Sequence, residues 1–217
     1  MNNINIAPEI ALIYVYDPMC SWCWGFSPTW QAIRETLEQQ YMPDHLAVRY
    51  VAGGLAPDSS EPMSAAMIQS ISSYWKQIEQ KLGTPFNHDF WLKNTPRRST
   101  YPACRAVIAA RELAGHHKER AMMGAIQQAY YLNAENPSNL MTLVSCAEKI
   151  GLDKYGFEKL VQSPECDALL QHEIKYARSI GGNSFPSLFV DKNGRVEPVP
   201  YDYSNASITL DFISAVV

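Results

Sequence analysis

Residues 10–16, Ile-Ala-Leu-Ile-Tyr-Val-Tyr, form an apolar run that stops at Asp17-Pro18, and Met19 leads directly into Cys20-Ser21-Trp22-Cys23. An apolar run of this length bounded by turn residues reads as a buried strand. The segment that begins at Cys20 reads as a helix, so a pair of thiols spaced i and i+3 stands where a strand hands over to a helix. Such a pair can close a small disulfide ring. Its first sulfur sits near the unpaired N–H groups and the positive dipole end, which favour a thiolate. The thiolate is the species that attacks disulfides, and the placement suits dithiol–disulfide exchange.

A Cys-x-x-Cys pair can also be half of a zinc site, but zinc usually takes four Cys or His ligands. No second pair exists, Cys104, Cys146 and Cys166 stand alone, and the adjacent His116 and His117 point in different directions on a helix. No metal ligand is therefore assigned. Five cysteines, an odd number without a disulfide framework, fit a reducing compartment in which such a pair is catalytic rather than structural. The net charge of −4 without a basic stripe argues against nucleic acid as a partner. Residues 1–9 lack the basic region of a signal peptide, and the apolar run behind them is too short to span a membrane. A cytoplasmic protein without membrane association is expected.

Along the chain, a helix is expected from Cys20 to about Tyr41, interrupted at Ser27-Pro28, where the proline lacks an N–H. Leu46–Val51 reads as a second strand, stopped by Gly53-Gly54. From Pro57 to Ile180 the periodicity is helical. Met63, Met67, Ile68 and Ile71 suit one face, Pro102–Leu113 and Arg120–Leu132 form helices, and Asn139 is placed to cap a helix closed by Gly151. Ser163-Pro164-Glu165 is a strong helix start, with Cys166, Leu169, Leu170, Ile174 and Ala177 on its apolar face. Ser187–Val190, a turn ending in Asn193-Gly194, and Arg195–Val199 give a β-hairpin signal, and Asn205–Val216 reads as a last helix.

The order of strand, Cys-x-x-Cys helix, strand, helical insertion and Phe185-Pro186 before a hairpin resembles the DsbA-like branch of the thioredoxin superfamily. Asp17-Pro-Met-Cys-Ser-Trp-Cys-Trp-Gly-Phe26 is most similar to the cytoplasmic protein-disulfide isomerases of that branch and to the FrnE-type proteins. Pro102-Ala-Cys-Arg-Ala-Val-Ile-Ala-Ala-Arg111 is similar to a helix they carry in their insertion. The resemblance implies an α/β, thioredoxin-like fold: a central mixed β-sheet flanked by helices, with a large all-helical insertion. Residues 1–56 and 181–217 would form the thioredoxin-like domain. Residues 57–180 would form the insertion, its last helix returning to the sheet.

By the same resemblance, Cys20 matches the exposed attacking cysteine and Cys23 the buried resolving one. Pro186 matches a cis-proline facing the active-site pair, and Phe185 would present backbone groups to a substrate. The position six before the first cysteine, often a buried carboxylate in thioredoxin-like proteins, is Tyr14. The nearest acid, Asp17, is expected to cap the helix. The intervening Ser21-Trp22 lacks a histidine, which implies a mild oxidant. Ser21 and Trp22 join Phe185 and Pro186 as expected substrate-binding residues, with Trp22 lining a groove and Trp24 in the core.

The other cysteines are expected to be core hydrophobes, with Cys166 open to a second reading as a reactive thiol because it lies in a helix's first turn. Methionines 63, 67, 122 and 123 are expected as core filler, with an adaptable peptide-binding surface as their other reading. The expected activity is that of a thiol–disulfide oxidoreductase or protein-disulfide isomerase, needing no metal or organic cofactor. Its partners would be cysteine-containing proteins or peptides, with glutathione or a thioredoxin-type protein for recycling. Two alternatives stay open: an enzyme like the kappa-type glutathione transferases or 2-hydroxychromene-2-carboxylate isomerases, and a non-catalytic chaperone or adaptor.

Overall fold

In the computed structural model, which describes residues 10–42 and 45–217, strand β1 (Ile10–Tyr16) is buried at every position. It lies inside a four-stranded sheet of order β2-β1-β3-β4. Strand β2 (Ala47–Ala52) runs parallel to β1, with Tyr14 opposite Tyr50. Strand β3 (Ser187–Lys192) is antiparallel to β1, with Tyr14 opposite Leu188, and β4 (Arg195–Pro198) is antiparallel to β3. A strand covered on both faces needs an unbroken apolar run rather than alternation, which is what residues 10–16 supply. The hairpin turn is Asn193-Gly194, both at positive φ (56° and 82°), as a two-residue turn between twisted strands requires.

The two faces of β1 bury different partners because successive side chains point to opposite sides. Leu12, Tyr14 and Tyr16 join the main core, which includes helix α1 (Ser21–Gln40). Ile13 and Val15 join Val51, Phe189 and Ala177, the last from helix α8 (Pro164–Ser179), on the opposite face. The α8 start follows from its sequence: Ser163 is the N-cap, its Oγ accepts from the Cys166 N–H, and Pro164 takes the first position.

Between β2 and α8 lie α2 (Ala65–Leu82), α3 (Phe90–Lys93), α4 (Tyr101–Ala114), α5 (His116–Tyr131), α6 (Leu140–Lys149) and α7 (Lys154–Val161); α9 (Ser207–Val216) closes the chain. One continuous core holds Leu12 and Tyr14 of the sheet, Phe26 and Ile33 of α1, Val107 of α4, Ile126 of α5, Val144 of α6 and Phe157 of α7. At its centre Trp75 is fully buried, stacked on Phe86 at 4.9 Å and edge-on to Tyr131 at 5.3 Å. Among the described residues, no helix is long and apolar enough to cross a membrane. The expectation drawn from residues 1–9 concerns positions outside the described ones.

Four expectations need correction. Helix α1 is not interrupted: Pro28 sits inside it. Proline leaves the Trp24 carbonyl without its usual donor, and the Ser27 hydroxyl donates to that carbonyl at 2.7 Å instead. Met63 precedes α2 and is half-buried, and Met67 is 39% exposed, so neither is core filler, whereas Met122 is fully buried. The first half of α2 has no fully buried residue: Ile71 packs against the core while partly exposed, and full burial begins at Trp75. Asn139 holds the N-cap position of α6, but its side chain does not cap, because Oδ1 accepts from Arg97 Nη2 at 2.7 Å. Leu169, expected on the apolar face of α8, is 37% exposed.

Candidate active site

Cys20 is the N-cap residue of α1, in extended conformation, and no side chain there accepts from the first-turn N–H groups. The amides of Ser21, Trp22 and Cys23 thus remain open donors at the positive end of the helix. The turn that delivers Cys20 is built by Asp17, whose carbonyl accepts from the Cys20 N–H at 3.0 Å and whose Oδ1 accepts from the Met19 N–H at 2.8 Å. Asp17 does not cap the helix as expected, because its other oxygen is engaged elsewhere. Oδ2 accepts from the Leu55 N–H (2.7 Å), the Thr100 hydroxyl (2.6 Å) and the Cys104 thiol (3.4 Å). The residue is fully buried. Burial pushes its carboxyl above the ordinary range, against the pull of these hydrogen bonds.

Cys20 Sγ lies 3.4 Å from the Phe185 carbonyl oxygen. The residue is 7% exposed rather than openly exposed, and it forms part of the wall of a cavity of about 280 Å³. Cys23, one turn on, is fully buried. Burial above all, and then the neighbouring Cys20, hold the Cys23 thiol well above the usual range, so it keeps its proton at neutral pH.

The segment facing Cys20 is held from three sides. The Phe185–Pro186 peptide bond is cis. The Pro186 carbonyl accepts from the Tyr201 hydroxyl at 2.9 Å. From α8, Arg178 donates to the carbonyls of Gly182 (2.6 Å), Gly53 (3.0 Å) and Gly54 (3.4 Å), and its guanidinium lies 5.3 Å from the centre of the Phe185 ring. The ring rests on Gly53 so closely that a Cβ there would lie 1.9 Å from Phe185 Cε1. The Gly-Gly stop after β2 is therefore also the seat of Phe185.

Of the residues expected at a substrate site, Cys20, Ser21, Trp22 and Phe185 share the cavity, whereas Pro186 and Cys23 do not line it. Trp22 packs edge-on against Tyr203 at 5.2 Å. Trp24 stacks on Tyr131 at 5.5 Å and donates its indole N–H to the Pro85 carbonyl, tying α1 to the insertion. Met63 on the far wall fits the peptide-binding reading of the methionines; the rest of that wall was not anticipated: Ile71 and Tyr74 of α2, Arg97 and Arg98 before α4, and Tyr130 of α5. No local signal marks them, since only the packing of the insertion brings them to Cys20.

Cys104, Cys146 and Cys166 are all fully buried. Cys166 is not favoured as a reactive thiol despite its helix start. Its Sγ donates to the Arg105 carbonyl at 3.4 Å, and burial pushes its thiol up to about 11. Among the described residues, no cluster of three or more His, Cys, Asp or Glu is arranged to hold a metal ion.

A mixed sheet with a Cys-x-x-Cys pair at the start of its first long helix, opposite a proline loop, defines a thioredoxin-fold protein of the DsbA-like kind. The chain belongs to the thioredoxin family: a family model of that description matches residues 14–199. Among solved structures it is similar to a candidate protein disulfide isomerase from Nitrosomonas europaea, at 25% identity and a TM-score of 0.82, over 95% of this chain and 96% of that one. The cytosolic disulfide reductase DsbM of Pseudomonas aeruginosa shares the fold at 24% identity and a TM-score of 0.75, over 95% and 98%. DsbM has also been solved with GSH. In sequence the chain is 26% identical over 190 residues to the ClpXP adapter protein SpxH of Halalkalibacterium halodurans. That match covers 85% of this chain and 60% of the relative, so the chain spans less than two thirds of the curated relative's length.

Proposed function

We propose that this chain is a thiol–disulfide oxidoreductase acting through Cys20 and Cys23. The observation that carries the reading is the Cys20 sulfur, set at an open helix N-terminus, 3.4 Å from the Phe185 carbonyl and on the wall of a cavity. The Cys20 thiolate attacks one sulfur of a substrate disulfide, forming a mixed disulfide and releasing the other substrate sulfur as a thiolate. Cys23 then loses its proton and attacks Cys20, which frees the second substrate thiol and leaves a Cys20–Cys23 disulfide. Two electrons pass from the chain's dithiol to the substrate; the reverse sequence oxidises it. Isomerisation uses the first step alone, with the substrate rearranging before release. The chemistry needs no metal or organic cofactor.

The cytoplasmic residence that the sequence suggests favours reduction or isomerisation, because the glutathione poise there keeps thiols reduced. Glutathione or a thioredoxin-type protein would return the pair to the dithiol.

Equilibration against glutathione buffers tests the reading. One two-electron couple is expected, absent in Cys20→Ser. A chain that forms no reversible Cys20–Cys23 disulfide would not be an oxidoreductase, and glutathione turnover with a small electrophile would then favour the transferase alternative.

The likeness to SpxH favours a second reading, in which the helical insertion presents a protein to a protease and the thiols are dispensable. It predicts that a chain with both cysteines replaced by serine still accelerates degradation of a bound protein by ClpXP.

A further inference from the structure

The lining of the cavity beside Cys20 presents charge of one sign, with the buried Asp17 behind it, bonded to the wall residues Met19, Leu55 and Thr100. Arg97 and Arg98 stand on its wall, and no Asp or Glu does. Five of the other seven arginines are ion-paired, Arg120 and Arg178 being the exceptions among the described residues. Arg105 is paired with Asp58 and Asp167, Arg111 with Glu119 and Glu173, and Arg34 with Glu38. Arg97 is fixed by neutral acceptors, donating to the Ser138 carbonyl and Asn139 Oδ1, both at 2.7 Å, so its position is set and its charge is left uncompensated. Arg98 has no ion-pair or hydrogen-bond partner among the described residues, although it is half-buried and the chain as a whole carries −4. Two uncompensated cations on the wall of a partly apolar recess raise the local potential far more than they would on open surface, since the low-dielectric walls focus the field.

We infer that the cavity selects substrates by charge: the preferred partners of Cys20 are disulfides that carry carboxylates close to the reacting sulfur, with Arg98 as the residue that meets them. The inference rests on the thiol–disulfide reading above. Met63, Ile71 and Tyr74 form the apolar part of the same wall and suit the aliphatic stem of such a ligand. The shared chemistry is an acidic disulfide, supplied either by a small peptide of glutathione type or by an acid-flanked cysteine in a protein. In each case Cys20 attacks one sulfur and the other leaves as a thiolate, so the electron count is that given above.

The test measures single-turnover mixed-disulfide formation by the reduced protein with three disulfides of similar size: dithiodipropionate (anionic), hydroxyethyl disulfide (neutral) and cystamine (cationic). The anionic probe is expected to react at least about tenfold faster than the cationic one at low salt. That ratio should fall toward one in Arg98→Gln and in about 0.5 M salt, where screening is short-ranged. Arg98→Lys keeps the charge and should keep most of the ratio, which separates charge selection from damage to the fold. An unchanged ratio in Arg98→Gln and in high salt, with the neutral probe still reacting, overturns the inference alone. Failure of all three probes to react overturns the oxidoreductase reading and the inference with it. Glutathione disulfide compared with Asp- and Lys-flanked peptide disulfides then distinguishes the sources: a preference for either acidic form is expected, and a preference for the Lys-flanked peptide counts against charge selection.

Discussion

At the residue scale, Arg178 does several jobs with one side chain. It ties three glycine carbonyls from two separated loops together and lies over Phe185, whose own carbonyl faces Cys20. Arg178→Met keeps the stem and loses the donors. The rate of mixed-disulfide formation should fall by about 10- to 100-fold, the scale of a small misplacement of a reacting partner. Alkylation of Cys20 by a small reagent does not need the loop and should change by less than about twofold. Equal losses in both assays would mean that Arg178 supports the fold and not the loop. Asp17 offers a second case. Every group around its carboxylate donates to it, the Met19 N–H to Oδ1 and the Leu55 N–H, the Thr100 hydroxyl and the Cys104 thiol to Oδ2. Asp17→Asn sets an NH₂ against the Met19 N–H or the Leu55 N–H, according to its orientation, whereas the Thr100 hydroxyl has the Ala56 carbonyl at 3.3 Å as a second acceptor. The expected cost is about 1–3 kcal/mol for one donor left unpaired, lowering Tm by roughly 2–12 °C. An unchanged melting curve would sink this account.

At the element scale, α1 shows how a side chain one position away compensates for a proline. Ser27→Ala removes the donor that replaces the missing Pro28 N–H and should destabilise the protein by about 1 kcal/mol. In a Pro28→Ala background the Trp24 carbonyl regains a main-chain donor, and the same change should cost less than half as much. Denaturant midpoints of the four chains close the cycle; equal costs in both backgrounds would show that the hydroxyl does not stand in for the amide. The same element marks the limit of what could be read beforehand. A run such as Ile10–Tyr16, a Ser-Pro helix start and an Asn-Gly turn are local signals with local causes, and the structure keeps them in place. The Ser27 substitution was missed because a serine before a proline reads as a break. That Met63 and Met67 stay out of the core was missed because periodicity gives a face without saying whether anything packs on it. The thiol pair and Phe185 were legible from their motifs, whereas the arginine wall and the Asp17–Thr100–Cys104 cluster join residues more than 75 positions apart with no pattern between them.

At the scale of the whole molecule, five cysteines without a structural disulfide tie stability to pH. Burial raises the thiols of Cys23 and Cys104 well above the usual range, and those of Cys146 and Cys166 to about 11. The folded chain therefore holds protons that the unfolded chain gives up near its ordinary thiol pKa of about 8.5. Stability is full below that pH and is lost as pH climbs toward the folded values. The reduced protein should melt at a lower temperature at pH 10 than at pH 7; a flat profile under reducing conditions would contradict the assignment. The long path of the chain between the two halves of the site has a consequence of another kind. Phe185 follows Cys20 by 165 residues. On a ribosome adding about 5–20 residues per second, the cysteine pair is made on the order of 10–30 s before the carbonyl that faces it. β3, the inner antiparallel neighbour of β1, is made after it too. For that interval the nascent chain carries Cys20 without the loop that will oppose it. Whatever guards the unfinished polypeptide against stray disulfides must come from the cell and not from the fold.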